Sequence, residues 1–133
     1  MDVGFGNMIS SYGTLLKNGM ALGVDWAEDG QGRMGGPPWK FPERYVQNSP
    51  VFYLDKVQTP LLINQGGMDT APYLSDEIFV GLRRLGKKTV YVRYENEGHG
   101  IENYDNRVDY WNRVIGWFGS HLNNKDGIGT STR

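Results

Sequence analysis

Two glycine-bounded segments hold the residue types that could do chemistry. Asp69 stands in Gly66-Gly67-Met68-Asp69-Thr70-Ala71-Pro72, and His99 in Glu95-Asn96-Glu97-Gly98-His99-Gly100. An aspartate that accepts a hydrogen bond from one ring nitrogen of a histidine fixes its tautomer and leaves the other nitrogen to act as a base, the arrangement that activates a hydroxyl nucleophile. Taken alone, Asp69 reads as a turn residue and His99 as a loop histidine; the pairing gives them a functional reading. Glu95, Glu97 and Glu102 read as solvated loop carboxylates or as tuners of the histidine. His121, at the end of a helical pattern, reads as structural.

A nucleophile elbow needs glycines two before and two after its serine, and none of Ser10, Ser11, Ser49, Ser75, Ser120 and Ser131 has both. Ser11 comes nearest, with Gly13 after it but Ile9 before it, and reads as part of an ordered loop. Gly30-Gln31-Gly32-Arg33-Met34-Gly35 satisfies G-x-G-x-x-G, yet no apolar strand precedes it and Gly36-Pro37-Pro38 follows where that fingerprint needs a helix. Two histidines and no cysteines provide no zinc set and no disulfide framework, so neither a metal nor a cofactor is expected.

The elements that must position Asp69 and His99 follow from periodicity. Thr59-Pro60-Leu61-Leu62-Ile63-Asn64 is a short apolar run entered through proline and closed by Gln65-Gly66-Gly67, as a parallel strand buried on both faces would be. Leu74, Ile78, Leu82 and Leu85 predict a helix over 73–85 stopped by Gly86, with Arg83 and Arg84 at its negative end. Thr89 to Tyr94 is β-branched and aromatic and predicts a second strand. Val108, Trp111, Ile115, Phe118 and Leu122 form one apolar face of a last helix, with Asp105 as its N-cap. One helix between two strands marks a right-handed βαβ unit, and the loops beyond its strand ends place Asp69 and His99 at one edge of the sheet.

Composition bounds the rest. The 133 residues carry 14 Lys and Arg against 15 Asp and Glu, which leaves no electrostatic footprint for nucleic acid. No run is long and apolar enough for a membrane span, the first residues lack the basic and apolar regions of a secretory signal, and localisation stays open. Nine of the 19 glycines lie before residue 37, so residues 1–58 read as an irregular Gly/Pro-rich segment with short helices, 59–122 as strand-helix-strand-helix, and 123–133 as a polar tail. Within the first part, Gly30 to Pro42 reads as an ordered loop laid over a surface and Pro42 onward as a short helix.

Several blocks resemble one family. Tyr94-Glu95-Asn96-Glu97-Gly98-His99-Gly100 with the helix that follows, Gly35 to Asn64, and Gly81 to Tyr94 are similar to the end of the catalytic domain of the prolyl oligopeptidase family of serine peptidases, over nearly all of residues 7–122. The resemblance implies an α/β fold of the α/β-hydrolase type, present only as its carboxyl-terminal portion. It implies Asp69 as the triad acid and His99 as the triad base of peptide-bond hydrolysis through an acyl-enzyme. In that family the acid is usually followed by two residues and Val-Pro, whereas Asp69-Thr70-Ala71-Pro72 is one residue shorter. The nucleophilic serine, its helix and one further strand fall upstream of this sequence by the same resemblance, and the chain alone is expected to be inactive. Implied partners are a peptide substrate in the complete enzyme, the N-terminal half of the catalytic domain, and a second copy joined through an exposed edge of the 61–64 strand. A truncated fragment acting by partner binding and an esterase relative are the alternatives.

Overall fold

The structure, a computed structural model, describes residues 1–122 apart from 3 and 17; the polar tail expected over 123–133 lies outside the described residues. Three short helices come first: α1 (Met8–Tyr12), α2 (Gly23–Glu28) and α3 (Pro42–Gln47). A 3-10 helix, Pro50–Lys56, leads into β1 (Leu61–Gly66), α4 (Tyr73–Arg84), β2 (Thr89–Tyr94) and α5 (Tyr104–Leu122). The two strands are parallel, with Leu61 opposite Thr89 and each following pair in step to Gly66 opposite Tyr94. Parallel strands with flanking helices are thus present as expected. Among the described residues no helix is long and apolar enough to cross a membrane.

Two apolar clusters form the interior. Met8, Ala27, Met34 and Tyr45 join α1, α2, α3 and the loop between the last two, with Tyr12 and Trp26 against them. Leu54, Ile63, Ile78 and Leu82 join the 3-10 helix, β1 and α4. Buried aliphatic side chains of this kind contribute roughly 1.5–3 kcal/mol each. The helix of 73–84 stops because Gly86 adopts φ +67 and gives its N–H to the carbonyl of Arg83, 3.1 Å, the left-handed turn for which glycine is suited.

The Gly/Pro-rich segment is laid over the first cluster and tied by polar side chains. Tyr45 Oη donates to the Gly36 carbonyl at 2.9 Å, and Arg44 Nη1 donates to the Met34 carbonyl at 2.6 Å. Ser49, fully buried, accepts from the Met8 N–H at 2.8 Å and donates to the Tyr45 carbonyl at 2.6 Å, so one hydroxyl joins the start of α1 to the end of α3.

The edge of β1 away from β2, expected to be exposed, carries Met1 and Asp2 parallel along part of it: the Met1 amino group donates to the Leu62 carbonyl at 2.6 Å and the Asn64 N–H donates to the Met1 carbonyl at 2.9 Å. The Asp2 carboxylate adds an acceptor for Asn64 Nδ2 at 2.9 Å.

The start of α5 also differs from expectation. Asn103, not Asp105, caps it, its Oδ1 accepting from the N–H groups of Asp105 at 3.0 Å and Asn106 at 3.3 Å. Asp105 lies one residue inside the helix, where its charge suits the positive end of the dipole. Glu97 completes the cap from the preceding loop. Its buried carboxylate accepts from Asn106 Nδ2 at 2.6 Å, the Glu102 N–H at 2.8 Å and the Asn103 N–H at 3.1 Å. Further along, Tyr94 Oη donates to Asp109 at 2.9 Å and Tyr110 Oη to Asp2 at 3.0 Å. These polar ties carry the helix, for none of its residues is buried, and on its apolar face Trp111 is 53%, Ile115 66% and Leu122 72% exposed.

Two measurements check these ties. Ser49→Ala strands the Met8 N–H in the interior and is expected to cost roughly 1–3 kcal/mol in urea unfolding; an unchanged midpoint would remove Ser49 as the joint. The Asn106 amide, then the N–H groups of Glu102 and Asn103, hold the Glu97 carboxyl below its ordinary value of 4.5 against the opposing effect of burial. A carboxyl lowered on folding stabilises the folded chain fully above its unfolded value, and this contribution is lost as pH falls through the folded value. The stability difference between the unaltered chain and Glu97→Gln is therefore expected to be largest near neutrality and to shrink as pH falls below about 4.5. Melts at stepped pH read it, and a difference constant with pH would refute the cap.

Candidate active site

β1 delivers Asp69 and β2 delivers His99. Because the strands run parallel and in step, the two turns leave the sheet side by side and bond to each other: the Gly67 N–H donates to the Tyr94 carbonyl and the Met68 N–H to the Glu97 carbonyl, both at 2.8 Å. Gly66 makes the approach possible. A Cβ there would run into the backbone carbonyls of Gly98 and Glu97.

Asp69 and His99 meet with Nδ1 at 3.3 Å from Oδ2. The carboxylate is mostly enclosed, its side chain 13% exposed, while the imidazole is 78% exposed. Oδ1 of Asp69 accepts from the Thr70 N–H at 2.7 Å, and Oδ2 accepts from Gln65 Nε2 at 2.9 Å. An ionised carboxylate only accepts, so the contact is a hydrogen bond in the tautomer with the ring proton on Nδ1, the form whose Nε2 lone pair is available as a base.

Beside the pair lies a cleft of about 220 Å³. Phe5, Leu22, Trp26, Ala71 and Leu74 give it an apolar lining, with Phe5 and Trp26 edge to face at 5.1 Å between ring centres. Asp69 and His99 form part of its wall, and so does Ser11. Ser11 is buried by the close approach of α2, where a Cβ on Gly23 would meet the Ser11 carbonyl.

The glycine-rich G-x-G-x-x-G run has a different task. The N–H groups of Gly30, Gly32 and Gly35 donate to the carbonyls of Asp25, Trp26 and Glu28 at 2.8–2.9 Å, which closes the end of α2 and leaves those amides no phosphate to bind. Among the described residues no group of three or more His, Cys, Asp or Glu side chains could hold a metal ion.

Sequence reasoning missed Gln65 and underrated Glu97. The signal for Gln65 was present: a polar side chain in a buried strand needs partners for its polar atoms. For Glu97 there was none, since a carboxylate among loop residues looks the same whether solvated or capping a helix.

Comparison with known proteins bears on what such a site belongs to. A family model described as the prolyl oligopeptidase family matches residues 5–125. The chain is 32% identical over 85 residues to the uncharacterized peptidase YuxL of Bacillus subtilis, covering 60% of this chain and 13% of that protein. It is 29% identical over 100 residues to dipeptidyl aminopeptidase BIII of Pseudoxanthomonas mexicana, covering 73% of this chain and 14% of that one. Among solved structures, the uncomplexed Pyrococcus horikoshii acylaminoacyl peptidase superposes with a TM-score of 0.74 at 22% identity, over 95% of this chain and 20% of its own. A Mycobacterium tuberculosis puromycin-hydrolyzing peptidase gives 0.74 at 21% identity, over 90% and 17%. The sequence thus spans 13–14% of the length of these curated relatives, and the fold is the corresponding part of an α/β-hydrolase. Since the family match takes in both strands, α4 and all of α5, the chain belongs to the prolyl oligopeptidase family.

Proposed function

We propose that this chain supplies the acid and the base of a serine peptidase, with Asp69 and His99 in those roles and the nucleophile contributed by a part of the protein outside these 133 residues. The observation that carries the reading is the 3.3 Å contact of His99 Nδ1 with Asp69 Oδ2 at the matched ends of two parallel strands. In the complete enzyme His99 Nε2 takes the serine proton as the hydroxyl oxygen attacks the peptide carbonyl, and Asp69 stabilises the imidazolium that results. The same proton passes to the leaving amine, the acyl-enzyme forms, and water admitted through the same base releases the acid. The apolar cleft along Phe5 and Trp26 opens against this pair and suits an apolar substrate side chain next to the scissile bond.

The preceding part of the catalytic domain is also the partner that fits the uncovered face of α5. Relatives carry about five times this length, since 60–73% of this chain matches only 13–14% of theirs, and α5 presents an apolar stripe that nothing in the described residues covers. Association of two copies is expected through that stripe rather than through the partly occupied edge of β1.

A fluorophosphonate probe tests the assignment. The 133-residue chain is expected to stay unlabelled; stoichiometric labelling, including on Ser11 in the same cleft, would overturn the claim that its own serines are not activated. Read in frame upstream of Met1, the encoding DNA is expected to hold an apolar strand followed by Gly-x-Ser-x-Gly. The protein expressed with that segment is expected to label and to hydrolyse peptide substrates, with His99→Ala lowering kcat by roughly 10⁴-fold or more. Hydrolysis of esters without peptides would move the reading to an esterase.

A further inference from the structure

We propose that Gln65, locked by Ser75, is the positioning residue that aims the Asp69 carboxylate at His99. The inference rests on the reading of Asp69 and His99 as acid and base and adds to it how the acid is held.

Gln65 is only 2% exposed, in a strand whose residues 62–66 are all buried, where an aliphatic side chain would avoid the cost of drying an amide. Every polar atom of the amide is used. Nε2 donates to Asp69 Oδ2 at 2.9 Å and to the Gly66 carbonyl at 3.2 Å, and Oε1 accepts from Ser75 Oγ at 2.7 Å. The amide can sit only one way round. Turned over, it would set Oε1 against a carboxylate that has nothing to donate.

Ser75 comes from the first turn of α4, is fully buried, and also lies 3.3 Å from the Gly4 carbonyl. Its single proton goes to Gln65 at the shorter distance, so α4 fixes the amide and the amide fixes the carboxylate. Gln65 and His99 converge on the same oxygen, Oδ2, while the Thr70 N–H holds Oδ1. Of the two donors to Oδ2, Gln65 is buried at 2.9 Å and His99 is exposed at 3.3 Å. The glutamine therefore determines where Oδ2 stands, and the imidazole is oriented by an oxygen already in place.

Nitrogen NMR of the full chain with labelled histidine tests this, since only His99 and His121 contribute. In its neutral form, identified by the nitrogen shifts themselves, His99 is expected mainly as the Nδ1–H tautomer. Gln65→Met is expected to return it to the Nε2–H form that free imidazole side chains prefer in water, Ser75→Ala to move it part of the way, and Asp69→Ala to abolish the Nδ1–H form. The His121 signals should stay put in all three, which a general loss of structure would not allow. If Asp69→Ala abolishes the signature while Gln65→Met and Ser75→Ala keep it, the positioning role is wrong and the acid–base pair stands. If the unaltered chain lacks the signature and Asp69→Ala changes nothing, the acid–base reading falls and this proposal with it. Ser75→Ala removes one oxygen and leaves the packing intact, so it decides the matter alone should Gln65→Met fail to fold.

Discussion

The in-step parallel pairing of β1 and β2 is the constraint on which the site depends. Six rungs, from Leu61 against Thr89 to Gly66 against Tyr94, end both strands at the same level. The chain then has to turn twice in one small space, and glycine at 66 lets the two turns touch through main-chain bonds rather than stand apart. A slip of one residue would send Gln65 to the opposite face of the sheet and separate it from both Ser75 and Asp69. Register, turn and side-chain orientation are therefore one specification.

Polar groups are concentrated where β1 ends. Leu62 and Ile63 bury hydrocarbon, and the next two residues, Asn64 and Gln65, are just as buried but amidic. Such groups destabilise a core unless paired, and here the pairing links separate parts of the chain: Asn64 to Asp2, Gln65 to Asp69 and Ser75. Apolar contact holds the strand in the interior, and the amides set what lies above it.

Much of this was legible in the sequence, unevenly. The helix at 73–84, the strand at 89–94 and the juxtaposition of Asp69 with His99 follow from periodicity and from the connection rule for parallel strands, because apolar spacing and strand order are local or nearly so. The cap of α5 was misplaced by two residues, since Asn103 and Asp105 are both good caps and only the approach of Glu97 selects between them. The partly occupied edge of β1 was not foreseen because two residues make no pattern, though they suffice to satisfy the strand's carbonyl and amide. Gln65 and Glu97 lie in the same class: their roles depend on neighbours ten and nine positions away, Ser75 and Asn106, that no period connects.

The manner in which α5 is fastened has a mechanical consequence. Its first turn is gripped by Glu97, and the main chain of Glu97 grips the turn that carries Asp69. The rest of the 19-residue helix buries no residue and is tied down by polar contacts alone, Asp109 with Tyr94 and Tyr110 with Asp2. The histidine loop is thus bonded on one side to the helix and on the other to the turn that carries Asp69. A change in how the first turn of α5 is capped therefore bears directly on the two turns that bring the carboxylate and the imidazole together.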